Sequence, residues 1–212
     1  MARVRVHQHV NPLAKYYREL PVKPLNLKDV FGDPEMPLHL DIGCGRGRFL
    51  LQLAKQQTDW NYLGIDIREP IVIQANEIRD TQKLKNLHYE FCNATLDLET
   101  LLENVPSDIL KFVTIQFPDP WFKKRHAKRR MVKDNLVETI SAKLAEEGEI
   151  LVQTDVEFLA EEMFELFEQH KLLIPIGIDE NPLAVKTERE ISVENRDLPI
   201  YRRIFEKKSG KR

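Results

Sequence analysis

The chain is poor in cysteine and in long apolar segments, and both deficits exclude classes of protein. Its 212 residues include two cysteines, Cys44 and Cys92, which form neither a disulfide framework nor the spacing of a cysteine zinc site. No stretch approaches the about 18 uncharged apolar residues that a membrane-spanning helix requires. The start of the chain lacks the apolar core of a secretory signal. We therefore expect a cytoplasmic protein that uses no membrane and no metal.

Glycine is also scarce, with 8 residues, while hydrophobic residues make up 42% and charged residues 31% of the chain. This balance is typical of a folded globular protein and excludes collagen-like and disordered chains. A chain of this length forms about one domain of the usual ~150 residues. Residues 1–35 contain four prolines and no clear hydrophobic period. We expect a basic, extended or partly mobile arm there, with at most a short helix, and a single domain over residues 36–212.

Positive charge is concentrated in one segment of a chain whose net charge is only −2. Residues 119–134 carry seven basic and two acidic side chains, a local excess of five positive charges that leaves seven negative charges on the remainder. A basic segment on an acidic body predicts contact with a polyanion. Basic residues near both ends of the chain would extend this contact; they are Arg3, Arg5, Lys15, Arg18, Arg202, Arg203, Lys207, Lys208, Lys211 and Arg212.

Short apolar runs alternate with amphipathic segments along the chain. The strand candidates span residues 38–44, 60–66, 86–91, 111–117 and 149–154. Helical periodicity is clearest over residues 71–78, 133–145 and 156–170. This alternation predicts an α/β fold with an open, mostly parallel sheet and helices on both faces. Apolar segments at residues 172–178 and 200–205 add a late pair of strands, of which one can be antiparallel.

A glycine-rich loop follows the first predicted strand and leads into a helical pattern. The glycines of the segment DIGCGRG, among them Gly43 and Gly45, allow a sharp turn and a close approach of the backbone to a ligand. A dinucleotide fingerprint would require glycine at position 48, where the chain has Arg48. Asp41 would repel a pyrophosphate, but it suits a ligand with an ammonium group and no phosphate, which describes S-adenosylmethionine.

Polar side chains end the next two predicted strands. Asp66 lies about 20 residues after the loop, where a carboxylate can accept both ribose hydroxyls. Asn93 ends the third strand and could hydrogen-bond an adenine edge, although taken alone it is more typical of a turn. The alternative for the whole group is a tight turn in which Asp41 serves only as a cap. The loop and its two carboxylates in strand–helix–strand order favour a cofactor site.

The fourth predicted strand ends in the segment FPDPW, and the basic run KKRHAKRR follows it. Ligands of open α/β sheets bind at the carboxyl ends of strands, so we expect Asp119 on the same edge as Gly43 and Asp66. The two flanking prolines restrict the backbone and position its carboxylate. Trp121 is either a core residue or a platform on which an exposed base stacks. The basic run is either a solvated face or a track for phosphates, and its position beside Asp119 favours the track.

These residues carry a family resemblance. In order along the chain, the segments DIGCGRGRF, GIDI, CNA, FPDPWFKKRHAKRR, QTD and KTERE are similar to those of bacterial-type tRNA (guanine-N7-)-methyltransferases, and the similarity covers residues 38–206. The segment FPDPW with its basic continuation is specific, whereas the glycine loop is general to class I S-adenosylmethionine-dependent methyltransferases. The resemblance implies the Rossmann-like, seven-stranded class I fold. It also implies methyl transfer from S-adenosylmethionine to N7 of the guanosine at position 46, in the tRNA variable loop, to give 7-methylguanosine.

The resemblance also implies roles for individual residues. Asp119 is expected at the reaction centre. The expected cofactor-binding residues, counting those of the glycine loop, are Asp41, Gly43, Gly45, Asp66, Asn93 and Asp119. The expected substrate-binding residues are Lys123, Asp155, Thr187, Glu188, Arg189 and Glu190. The chain departs from commoner family residues by Asp41 for Glu, by Asn93 for Asp, and at the pair Glu188 and Arg189.

The expected chemistry needs no general base, because guanine N7 has an in-plane lone pair and only has to be aligned for in-line displacement. Three alternatives stay open. An amino-methyltransferase acting on adenine or cytosine would carry a second proline after Asp119, and this chain has Trp121 two positions on. A non-catalytic RNA-binding relative would not need the three carboxylates, and a small-molecule methyltransferase would leave the basic run without a partner. The sequence does not determine the oligomeric state.

Overall fold

The computed structural model describes residues 10–19 and 21–210. Seven strands form one sheet in the order β3-β2-β1-β4-β5-β7-β6. Strand β7 runs antiparallel to both of its neighbours, and the other pairs are parallel. The predicted α/β fold and its late antiparallel strand are thus confirmed. The strands are β1 Leu38–Ile42, β2 Asn61–Asp66, β3 Leu87–Phe91, β4 Leu110–Gln116, β5 Glu149–Thr154, β6 Leu173–Gly177 and β7 Tyr201–Lys207.

Helices precede and connect the strands. They are α1 Lys15–Arg18, α2 Leu27–Val30, α3 Arg48–Gln56, α4 Glu69–Thr81, α5 Ala94–Leu101, α6 Asp134–Lys143, α7 Glu157–Glu168 and α8 Glu188–Glu194, with a 3-10 helix over Lys124–Arg129. The three predicted helical segments correspond to α4, α6 and α7. Sequence periodicity did not predict α5, where Leu96 breaks the apolar stripe by facing solvent, or α8, which has two buried residues.

Alternating residues of the central strands pack against two hydrophobic clusters. In β2, Leu63 and Ile65 join one cluster and Tyr62 joins the other. The first cluster includes buried residues of α5, α6 and α7, and the second includes those of α3 and α4. Because successive side chains of a strand point to opposite faces, helices cover both faces of the sheet. Among the described residues, no helix is long and apolar enough to cross a membrane.

Part of the segment predicted as an arm packs on the domain. Leu25, Leu27 and Phe31 are buried in the first cluster, and the Leu25 amide donates to the Leu101 carbonyl at 2.9 Å. Their burial anchors the second half of the segment, which contains α2. The boundary at residue 35 stays a prediction. Of the basic residues expected to extend the polyanion contact, Arg3, Arg5, Lys211 and Arg212 lie outside the described residues.

Candidate active site

The glycine loop joins β1 to α3 through left-handed backbone. Gly43, Gly45 and Gly47 have φ values of 87°, 58° and 72°. Any other residue at position 47 would be strained, and a Cβ there would lie 2.4 Å from the Tyr89 ring. By contrast, a Cβ at Gly43 or Gly45 would have no neighbour closer than 3.8 Å. These two glycines therefore leave space in front of the loop, where the sequence predicted a ligand.

Asp66, at the end of β2, holds the glycine loop in place. Its Oδ2 accepts from the Gly45 amide at 2.9 Å and from Arg68 Nη2 at 2.8 Å. Its Oδ1 accepts from the backbone amide of Arg68 at 2.9 Å and from Arg68 Nε at 2.8 Å. This pairing raises the pKa of Arg68. Both oxygens predicted to accept ribose hydroxyls therefore already have protein donors, so a ribose would share them with Arg68 or displace it.

Asp41, in β1, is 4% exposed and belongs to a buried relay of polar groups. Burial raises the pKa of Asp41 to about 6, although hydrogen bonds from Thr114 and Gln116 act in the opposite direction. The Thr114 hydroxyl donates to Asp41 Oδ1 at 2.6 Å, and His39 Nε2 lies 3.0 Å from the same hydroxyl oxygen. Burial lowers the pKa of His39 to about 3, so its ring is neutral at pH 7. Because the Thr114 hydroxyl donates its hydrogen bond to Asp41, it can only accept from His39, so His39 carries its hydrogen on Nε2.

Two pockets meet at the carboxyl ends of β1 and β4. The first pocket encloses about 250 Å³ and is lined by Asp66, Arg68 and Asn93 among others. The second pocket encloses about 410 Å³ and is lined by Asp41 and by the predicted substrate residues Asp155, Thr187, Glu188 and Arg189. Gly43, Gln116, Phe117, Pro118 and Asp119 line both pockets. Asp119 therefore lies between the pocket that contains Asp66 and Asn93 and the pocket that contains the predicted substrate residues. Asp41 and Gly45, which were predicted to bind the cofactor, line the second pocket.

The arm reaches the first pocket. Asn93 Nδ2 donates to the Pro12 carbonyl at 2.9 Å, and Pro12 and Val10 line this pocket. The amide that the sequence predicted for an adenine edge is thus engaged by the segment before α1. Sequence reasoning placed Asn93 at this site but missed its partner, because a contact across 81 positions leaves no local signal.

The backbone on both sides of Asp119 is strained. Phe117 and Trp121 have φ values of 50° and 45°, a region that bulky residues rarely adopt. The Phe117 amide donates to the Gln153 carbonyl at 2.8 Å, and Arg130 Nε donates to the Pro120 carbonyl at 3.0 Å. Strain of this kind persists only where surrounding contacts hold it, and it is concentrated at functional sites.

Trp121 takes neither of its two predicted roles fully. Its ring lines the first pocket and is half-buried. The Arg129 guanidinium lies 4.9 Å from the ring centroid, and the His126 ring meets it edge-on at 5.7 Å. Trp121 therefore forms part of the wall of the first pocket, and the Arg129 guanidinium occupies one face of its ring.

Ion pairs surround the mouth of the second pocket. Arg189 pairs with Asp155, and Arg48 pairs with Glu188. Lys123 is exposed and precedes the 3-10 helix, outside both pockets. The structure thus gathers Asp155, Glu188 and Arg189 at one mouth and leaves Lys123 on the adjoining surface.

Glu190 lies outside both pockets, at 0% exposure. Its carboxylate accepts from Arg202 Nη2 at 3.2 Å, from Asn181 Nδ2 at 2.8 Å and from Gln153 Nε2 at 3.2 Å. The Glu190 amide donates to the Thr187 hydroxyl at 3.1 Å and so caps α8. The pattern Thr-x-x-Glu was a sequence signal for this helix start. Glu190 anchors the helix whose first residues line the second pocket.

The basic run forms the 3-10 helix that follows Phe122, and Arg129 of this helix lines the first pocket. Lys123, Lys124, Arg125 and Lys128 are exposed, whereas Arg129 and Arg130 are half-buried. Arg130 also pairs with Glu162 on α7. The exposed cations are thus available to a polyanion, and the last two arginines hold the segment around Asp119. In the described part of the chain, no cluster of three or more His, Cys, Asp or Glu side chains is arranged to hold a metal ion.

The fold is that of known methyltransferases. An aminoglycoside resistance methyltransferase superposes with a TM-score of 0.55 at 18% identity, covering 84% of this chain and 88% of the other. An rRNA methylase from Streptococcus thermophilus superposes with a TM-score of 0.51 at 13% identity, covering 86% and 92%. These similarities define the class of fold and leave the reaction open.

Sequence comparison defines the family. The Methyltransf_4 model, which describes methyltransferases, matches residues 35–203. A tRNA (guanine-N(7)-)-methyltransferase of Trichormus variabilis is 51% identical over 208 residues, 96% of each chain. One from Synechocystis is 46% identical over 211 residues, 98% of this chain and 99% of the other. The chain belongs to the tRNA (guanine-N(7)-)-methyltransferase family, as its motifs predicted.

Proposed function

We propose that this protein transfers the methyl group of S-adenosylmethionine to N7 of the guanosine at position 46, in the tRNA variable loop. The observation that carries the proposal is the position of Asp119 on the wall shared by the two pockets. A group at this wall can touch a donor on one side and an acceptor on the other. Family membership supports the substrate class, and the exposed cations beside the second pocket support an RNA partner. Its cytoplasmic location stays a prediction.

The residues at the two pockets fit the proposed cofactor. S-adenosylmethionine supplies a methyl group on a positively charged sulfur, together with an ammonium group and ribose hydroxyls. Asp41 would accept from the ammonium group, since a buried carboxylate with one oxygen held by Thr114 is pre-oriented. Asp66 would accept from the ribose hydroxyls, and Asn93 would bind the adenine edge. The open space in front of Gly43 and Gly45 matches a ligand lying against the loop.

Asp119 would act on charge rather than on a proton. Bound S-adenosylmethionine would supply its methyl group to the N7 lone pair and leave as a neutral thioether, so the positive charge would end on the purine. A fixed carboxylate at the shared wall stabilises that charge or accepts from the N–H edge of the guanine. No step removes a proton, so no general base is needed.

The remaining predicted residues would hold the RNA. Asp155, Thr187, Glu188 and Arg189 line the second pocket and would contact the acceptor nucleotide. Lys123, outside the pockets, would bind a phosphate. Glu190 would act indirectly, by positioning α8.

The test is to incubate the protein with radiolabelled S-adenosylmethionine and bulk tRNA and to identify the modified nucleoside. We expect 7-methylguanosine, at position 46 when the tRNA is digested and mapped, and far less of it with the Asp119→Asn variant. Labelled methyladenosine or methylcytidine would instead support the amino-methyltransferase alternative. Cofactor binding without any methyl transfer would support the non-catalytic alternative. Methyl transfer to small molecules but not to tRNA would support the small-molecule methyltransferase alternative.

A further inference from the structure

Two aromatic rings form an exposed surface at the mouth of the second pocket. Phe122 is 71% exposed and lines this pocket, and Phe158, at the start of α7, is 38% exposed. Their ring centroids lie 6.0 Å apart. A ring that keeps most of its surface in water gains little from burial. We call this pair the aromatic ledge.

The ledge is held from behind by the segment that carries Asp119. The Arg130 guanidinium lies 4.9 Å from the Phe158 ring centroid, and Arg130 also donates to the Pro120 carbonyl and pairs with Glu162. These contacts fix Phe158, which in turn supports one edge of Phe122. The other surface of Phe122 faces solvent beside the exposed Lys123 and Lys124.

Trp121 does not offer such a surface, although the sequence drew attention to it. It lines the first pocket, on the cofactor side, and Arg129 covers one face of its ring. Phe122 is the neighbouring aromatic residue that lines the second pocket. Phe122 is therefore the exposed aromatic ring that a nucleic acid can contact at the second pocket.

An acceptor base can reach Asp119 only after it leaves its stack, which also unstacks its neighbours. An aromatic ring at the pocket mouth can replace part of that stacking, while adjacent cations bind the phosphates. Resting on the proposed function, we propose that Phe122, supported by Phe158, stacks on a nucleobase that flanks the methyl acceptor in the tRNA. Because Phe122 is exposed whereas Asp119 is half-buried on the shared wall, Phe122 receives the flanking base, and the acceptor itself passes further in.

The test compares Phe122→Leu with Phe122→Tyr. Leucine keeps an apolar side chain but cannot stack, so we expect the dissociation constant for tRNA to rise about 5- to 100-fold. Tyrosine should stay within about twofold of the wild type. Affinity for S-adenosylmethionine should not change in either variant, which also shows that they fold. Ile73→Ala, on the exposed side of α4, is the control for loss of exposed apolar surface and should bind tRNA normally.

Two further measurements separate stacking from other effects. Phe122→Leu should weaken binding equally at every salt concentration, whereas removing a cation that binds a phosphate lowers the salt slope by about 0.9. A tRNA with an abasic nucleotide on the 5′ or the 3′ side of the acceptor should bind wild-type protein more weakly at one of the two sites. On that tRNA, Phe122→Leu should weaken binding no further.

The stacking proposal would be overturned if Phe122→Leu bound intact tRNA as tightly as the wild type does. It would also be overturned if, in both abasic tRNAs, the losses of affinity caused by the missing base and by Phe122→Leu were additive. A changed salt slope would assign Phe122 to the support of the basic helix instead. These outcomes are measured by binding alone. The proposed function is tested separately, by the assay with radiolabelled S-adenosylmethionine. If the wild-type protein formed no 7-methylguanosine in that assay, the proposed function would be wrong.

Discussion

The carboxyl ends of β1 and β2 carry carboxylates that are buried and already hydrogen-bonded, whereas the segment after β4 and the start of α8 present side chains to solvent. Following the proposed function, we call these regions the donor side and the acceptor side. On the donor side, Asp41 and Asp66 are each 4% exposed. On the acceptor side, the pair between Arg48 and Glu188 is largely exposed, and Phe122 is 71% exposed. A small ligand is bound by desolvated, pre-oriented groups, whereas a polyanion is bound by accessible cations and rings.

Replacing Asp119 by alanine should have the largest effect, because this carboxylate lies on the wall that both pockets share. We expect single-turnover methyl transfer at saturating cofactor and tRNA to fall about 100- to 1000-fold, the usual effect of removing one charge-stabilising group. Rapid-quench measurement of labelled tRNA gives the rate, and the thermal unfolding midpoint should stay near that of the wild type. A near-normal single-turnover rate would show that Asp119 is not at the reaction centre.

Glu190→Gln should destabilise the protein more than any change at the exposed pocket mouth. It leaves Arg202, whose side chain is 9% exposed, without its charge partner, and breaking a pair with a fully buried carboxylate costs about 3 kcal/mol or more of unfolding free energy. Glu188→Gln, which breaks the exposed pair with Arg48 in the first turn of the same helix, is the matched control and should cost less than about 1 kcal/mol. Urea unfolding measures both, and equal destabilisation by the two changes would contradict the anchoring role of Glu190.

Cofactor affinity should depend on pH through Asp41. Its folded-state pKa is raised to about 6, so the free protein keeps the carboxylate charged at pH 7 and protonates it as the pH falls through about 6. Affinity for S-adenosylmethionine should therefore fall by up to about tenfold per pH unit below that point. The linked effect on stability has the opposite sign, because a raised carboxyl pKa means that the folded state binds the proton more tightly. Protonation of Asp41 thus favours folding as the pH falls towards the unfolded pKa.

The Thr114 hydroxyl sharpens this prediction, because it lowers the pKa of Asp41. Thr114→Val should move the midpoint of the pH profile upward, and Thr114→Ser should restore it. Calorimetric titration between pH 5 and 8 measures the midpoint. The charged and titratable groups near Asp41 are Asp66, Cys44, Tyr89 and, through the Thr114 hydroxyl, His39. If cofactor affinity did not change with pH, or if Thr114→Val left its pH dependence unchanged, the hydrogen-bonded relay of His39, Thr114 and Asp41 would have no part in cofactor binding.

The smallest single effects are expected from the exposed cations. Alanine at Lys124, Arg125 or Lys128 should weaken tRNA binding and reduce the slope of log affinity against log salt by about 0.9 for each phosphate that is no longer bound. Lys55→Ala, an exposed lysine of α3, is the control and should leave the slope unchanged. If alanine at all three positions together left the salt dependence of tRNA binding unchanged, the polyanion would bind another surface.

Local patterns were sufficient wherever a feature depends on neighbouring residues. Apolar runs predicted the strands, with limits that differ from the structure by up to two residues at an end, and β5 agrees at both ends. The glycine loop and the flanked Asp119 also stood out, because their backbone requirements are written in adjacent residues. The start of α8 was missed even though Thr187 and Glu190 carry its capping pattern, since only two of its residues are buried.

Contacts between distant residues were not predictable in this way. His39 and Thr114 are joined across 75 positions, and Asn93 and Pro12 across 81, so no spacing rule marks them. The buried position of Glu190 and the choice of Phe122 over Trp121 at the acceptor side likewise depend on which faces the sheet brings together.

The order of strands, helices, glycines and carboxylates is a local property of the chain, and it determined the fold class and the edge of the sheet where chemistry is expected. The packing of β4, β5 and α8 around that edge decided which side chains are buried and which reach solvent. This packing raises the pKa of Asp41, brings Arg202 to Glu190 and leaves Phe122 exposed. It could not be predicted from the sequence, because the desolvation of a group depends on everything that surrounds it and not only on its neighbours in sequence.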